Sequence, residues 1–121
     1  MIFSVQKLDA GLRYLASHYF KILLVDFDSD MFTPIKITEQ DYNYIMEKKI
    51  VAFSKWVSDF CEKDCHPDDV AGFTNMYDCA SDDVAQTFQY RRKNGNKWDN
   101  CIIDILPTDV PSRKFLFVRT I

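Results

Sequence analysis

The chain has no apolar run approaching the ~20 residues that a membrane-spanning helix needs. Its longest apolar stretches are "ILLV" from Ile22 and "CIIDIL" from Cys101. No charged segment followed by an apolar one opens it, so neither a secretory leader nor membrane insertion by this domain is expected. Basic charge is short as well: 15 Lys and Arg against 18 Asp and Glu leave a net charge of −3, too little to hold a phosphate backbone through many contacts. Nucleic acid is therefore not an expected partner. Imidazoles are scarce, with only His18 and His66, and no nucleophile signature surrounds either.

The four cysteines, Cys61, Cys65, Cys79 and Cys101, are irregularly spaced. Such usage fits a reducing compartment, and a cytoplasmic location is expected. The stretch "CEKDCHPDDVAGF", Cys61 to Phe73, raises a metal question, since Cys61, Cys65 and His66 with a fourth ligand such as Cys79 would make a set. The paired short spacings of a zinc knuckle are missing. The same residues spell a helix start: Pro67 suits the first helical position, and Asp68 and Asp69 suit the positive end of the helix dipole. That reading is preferred, with His66 as the residue that opens the helix, and no metal is expected. Asp26, Asp28, Asp30, Asp82 and Asp83 likewise read as turn and cap carboxylates rather than as acid–base pairs.

What is present is material for one core. With 121 residues, 47% of them apolar, ten Phe and six Tyr, a single domain is expected. Val5, Leu8, Leu12, Leu15 and Tyr19 recur at alternating spacings of three and four and form one stripe of a first helix. "FKILLVDFDSDMFTPIKI" reads as a hairpin around Asp28-Ser29-Asp30, with Pro34 marking an edge or a bulge. Thr38 with Asp41 signals a helix start, and Ala52, Phe53, Trp56, Val57 and Phe60 continue at helical spacing, so one or two helices fill residues 39 to 63. A short helix follows His66 and ends near Tyr77. Asn94-Gly95 between runs of aromatic and β-branched residues signals a second hairpin, and "RKFLFVRTI" supplies the last strand after a Pro107 to Pro111 loop. The order implies an α+β fold. Trp98 is expected to pack against the sheet or an adjoining helix.

With "HPDD" opening a helix and "YRRKNGNKW" spanning a hairpin, the chain from about residue 19 onward resembles a PAS domain of bacterial sensor proteins. His66, Pro67, Asp68 and Asp69 match the family's frequent start to its last helix before the sheet resumes. Phe88 through Gly95 match its aromatic, basic strand and turn, and Trp98 the aromatic of the next strand. Gln89 departs from a common Arg. The resemblance implies a five-stranded antiparallel sheet with helices on one face (residues 19–121), preceded by a flanking helix (residues 1–18). It further implies a non-catalytic sensory or interaction module that regulates a C-terminal output domain: a diguanylate cyclase, a phosphodiesterase or a histidine kinase. Flavin and haem are not expected. Asn100-Cys101 lies in a strand rather than on a helix, and His66 stands at a helix start.

Period-two alternation puts Phe88 and Tyr90 on one face of a strand, Ile102, Asp104 and Leu106 on one face of the next, and Phe115 and Phe117 on one face of the last. These seven are the candidate lining of a small-ligand pocket, against the alternative of a filled core. Val5, Leu8, Leu12 and Leu15 are the candidate contact of a homodimer, on a helix that would also cover Leu23, Val25 and Phe27. Two other classes stay open: a small α+β enzyme with a polar pocket around Asp104, His66 or Cys101, and a purely structural dimerisation domain.

Overall fold

The computed structural model describes residues 14, 16–79 and 84–121. Two strands open this part, β1 (Lys21–Asp26) and β2 (Met31–Lys36), followed by α1 (Glu39–Lys48), α2 (Phe53–Lys63), a 3-10 turn (Pro67–Asp69) and α3 (Val70–Cys79). Three strands close it: β3 (Gln86–Asn94), β4 (Lys97–Pro107) and β5 (Arg113–Thr120). All five strands form one antiparallel sheet in the order β2-β1-β5-β4-β3, so the fold is α+β. Among the described residues no helix is long and apolar enough to cross a membrane.

Local chemistry places each boundary. In the β1–β2 turn, Asp26 Oδ1 accepts the N–H of Asp28 at 3.0 Å and of Ser29 at 3.3 Å, the side-chain mimic of a turn that Asp favours. Pro34 lies in the edge strand β2 beside a register shift, where its missing N–H leaves no ladder bond unmade. Thr38 Oγ1 accepts from Asp41 N at 3.1 Å and caps α1. The helical stretch between residues 39 and 63 is two helices because Lys49 turns left-handed, with φ 53°, and closes α1. The β3–β4 turn is centred on Gly95-Asn96, one residue later than Asn94-Gly95: Asn94 pairs with Lys97 and Gly95 has φ 61°. A positive φ at the first central position alone is the II′ form, which needs glycine there.

The core lies between the helices and one sheet face. Leu23 and Val25 of β1, Tyr90 of β3, Cys101, Ile103 and Ile105 of β4, and Leu116 and Val118 of β5 meet Phe53, Trp56, Phe73 and Met76 of α2 and α3. Gly72 in α3 lets this packing close up, since a Cβ there would stand 3.1 Å from the Phe88 ring. Leu23 and Val25 thus face α2 and α3, and Phe27 packs edge-on against Phe53 at 6.1 Å. The stripe residues Val5, Leu8, Leu12 and Leu15 lie outside the described residues. Tyr19 meets Phe117 edge-on at 5.2 Å, on the opposite face.

The segment leading into the 3-10 turn guards the sheet's far edge. Asp64 to His66 runs beside β3: His66 N donates to Arg91 O at 3.0 Å and Lys93 N to Asp64 O at 2.7 Å. Open edges invite pairing with other chains, and a covered one does not.

Candidate functional site

Strand alternation directs Lys21 and Arg92 inward at one end of the sheet, and the fully buried Lys114 at the other. Lys21 shares the parity of Leu23 and Val25, and Arg92 that of Phe88 and Tyr90, so both point beneath the helices at one end of the sheet. Asp41, in the first turn of α1, places Oδ2 2.9 Å from Lys21 Nζ, with both side chains mostly buried. Lys21 is the sole partner of that oxygen among the described residues. The same ammonium lies 4.8 Å from the Trp56 ring centre, and the Arg92 guanidinium lies 4.8 Å from that of Phe20. Burial pulls the Lys21 pKa below its ordinary value, and the Asp41 carboxylate opposes that shift.

Beside Lys21 is an apolar chamber of about 40 Å³ lined by Leu23, Trp56, Phe60, Tyr90, Leu116 and Val118 among others. Adjoining it is a polar cleft of about 80 Å³, here called the mouth, whose charged lining is Lys21, Lys63, Arg92 and Lys93 with Asp41, Asp59 and Asp64. Lys21, Trp56 and Phe60 belong to both. Asp59 is already engaged, accepting the Tyr44 hydroxyl and Lys55 Nζ. Those hydrogen bonds, Tyr44's first, hold its carboxyl below the usual range, while Tyr44 is pushed up to about 12 by the same contact. The arrangement can hold an anion at the mouth and a short apolar group beside it.

The seven sequence-derived pocket residues do not converge. Phe88 and Tyr90 face the helices. Pairing of Phe88 with Ile103 and of Tyr90 with Cys101 sends Ile102, Asp104 and Leu106 to the other face, where Asp104 pairs with Phe117 and Leu106 with Phe115. Tyr90 alone of the seven lines the chamber. Alternation fixes parity within a strand, whereas cross-strand register decides which parities share a face. Lys21, Asp41, Trp56 and Arg92 were missed as a group. The signal was there in the alternation Lys21-Leu23-Val25 and Phe88-Tyr90-Arg92, each run ending in a charge at an inward position.

The "CHPDD" stretch has structural tasks. His66 Nδ1 accepts from Asp68 N at 3.1 Å, Pro67 follows at the first position, and Cys65 is buried in the core. Asp69 takes Arg91 through both carboxylate oxygens, Nε to Oδ2 at 2.9 Å and Nη2 to Oδ1 at 3.0 Å, and accepts the Arg91 N–H as well. Trp98 is 42% exposed and lies edge-on to His66 at 4.7 Å, so it covers the helix start and is not packed in the core. Among the described residues no group of three or more potential ligands is placed to hold a metal. Burial pushes the thiols of Cys61, Cys65 and Cys101 up, that of Cys65 to about 12, which keeps them protonated near neutrality. Cys101 is fully buried but lines neither the chamber nor its mouth. Asp104 accepts Thr87 Oγ1 at 2.8 Å, away from both. Comparison with known proteins finds no matching family model, no matching curated protein and no matching solved structure.

Proposed function

We propose that this chain is a PAS-like sensory or interaction module of bacterial signal transduction. It acts as a homodimer without catalytic activity of its own, and it binds a small ligand to change an output domain of cyclase, phosphodiesterase or histidine kinase type. The observation that carries this reading is the pair of inward cations, Lys21 and Arg92, at the mouth of an apolar chamber. A buried ion pair is seldom better for stability than apolar residues of the same volume, and Lys21 and Arg92, unlike the inward Lys114, line the cleft itself, which favours recognition there. The layout supports the same reading: five antiparallel strands, with the helices inserted between the second and third and packed on one face. Topology also offers a route to an output domain, because Lys21 pairs with Val118 and Phe20 N donates to Val118 O at 3.0 Å. The site therefore adjoins β5, the last strand of the sheet in chain order. Native mass spectrometry of freshly purified protein, with thermal unfolding across a metabolite panel, tests the proposal. A retained or added small molecule that raises stability or changes subunit number is the expected result; a ligand-free particle indifferent to every compound would sink it.

A further inference from the structure

We propose that the mouth at Lys21 and Arg92 binds a small carboxylate carrying a short apolar tail, an inference that rests on reading the cleft as a ligand site. Charge comes first. Four basic side chains and three carboxylates line the mouth, an excess of one positive charge. Lys21 has Asp41, and Asp59 has Tyr44 and Lys55. Arg92 has no carboxylate partner among the described residues and is held only over the Phe20 ring. A half-buried guanidinium beside an ammonium, in surroundings of reduced dielectric, favours an anion, and its planar fork fits a carboxylate in particular.

Size comes second. An enclosed apolar cavity of about 150 Å³ accepts a benzene, so the 40 Å³ chamber beside Lys21 suits a chain of about two to four carbons better than a ring. The tail would lie on Trp56 and Phe60, the residues that chamber and mouth share, with the carboxylate between Lys21 and Arg92. An amine of the same length would meet the excess positive charge, and an alcohol would leave Arg92 without an anion.

The test uses the full chain in a Trp98→Phe background, which leaves Trp56 as the only indole of the two. Butyrate, formate, butanol and butylamine are titrated at constant ionic strength while the Trp56 indole N–H is followed by NMR. Butyrate is expected to give a saturable shift, more tightly than formate, with no saturation by butanol or butylamine. Arg92→Gln should weaken butyrate by about tenfold or more, and Arg92→Lys should restore part of the loss. The inference is overturned if butanol saturates as well as butyrate, if formate binds as tightly, or if Arg92→Gln leaves the butyrate Kd unchanged. If butyrate gives no saturable response while a neutral or cationic compound from the metabolite panel does, the carboxylate falls and the ligand-site reading stands. If no compound reaches Trp56, both fall.

Discussion

Asp30 sits in the left-handed region with φ 57°, and from there it completes a helix that cannot cap itself. The N-cap of α2 is Ala52, which has no side chain to offer. Asp30 supplies both missing acceptors, its carbonyl to Phe53 N at 2.9 Å and its carboxylate to the N–H and hydroxyl of Ser54, and it takes the Tyr77 hydroxyl at 3.3 Å. Asp30→Ala should cost about 1–2 kcal/mol, from the lost cap and from a Cβ without local hydrogen bonding at positive φ. Asp30→Asn, which tolerates that backbone and keeps an acceptor, should cost less, and urea denaturation of the two variants orders them. Asp69 makes a second residue-scale case. Arg91 hydrogen bonds hold its carboxyl below the ordinary value, so the stability it adds is complete above the unfolded pKa of about 3.9 and is lost as pH falls through the folded value. Asp69→Asn should therefore be less stable near neutrality but lose less stability between about pH 5 and 2. Parallel pH profiles for parent and variant would remove Asp69 from the acid response. Trp98→Ala, with the ring exposed and in contact with His66, should cost about 1 kcal/mol, the scale of one aromatic pair.

At the scale of elements, the β3–β4 hairpin depends on one backbone angle. A Cβ at Gly95 would meet nothing within 4 Å, but φ is 61°, so Gly95→Ala should cost about 1–2 kcal/mol through conformation alone. An unchanged urea midpoint would mean that the turn relaxes into another form. Most elements were legible in the sequence because they rest on local rules: Thr38 three residues before Asp41, Pro67 after His66, alternation from Gln86 to Pro107. Non-local events were not legible. The cap of α2 comes from a turn 24 residues earlier, and the cover of β3 comes from Asp64 to His66, neither of which leaves a periodic trace. The same limit applied to the site. Each strand's parity could be read, but the register that sends Phe115 and Phe117 away from Tyr90 is a property of pairs of strands.

On the scale of the whole molecule, strand order brings the site to a corner where two ends of the described sheet meet. β1 and β5 are neighbours, so the start of β1 lies beside the end of β5, with Phe20 N donating to Val118 O at 3.0 Å and Ile121 N to Asn100 O at 2.9 Å. The Phe20 ring carries the Arg92 guanidinium, and the next residue is Lys21. On the proposed reading, a change in charge at the mouth should act on the hydrogen bond that ties β1 to β5. The opposite end of the same strand pair, where Phe27 N donates to Ser112 O at 2.8 Å, lies away from Arg92 and serves as an internal control. Arg92→Gln removes a cation–aromatic contact of about 0.5–1 kcal/mol, so amide exchange at Phe20 should quicken about two- to fivefold. Exchange at Phe27 should not change. Equal acceleration at both amides would mean general destabilisation, and no acceleration at either would separate the cleft from the strand ends and remove the proposed path from ligand to output domain.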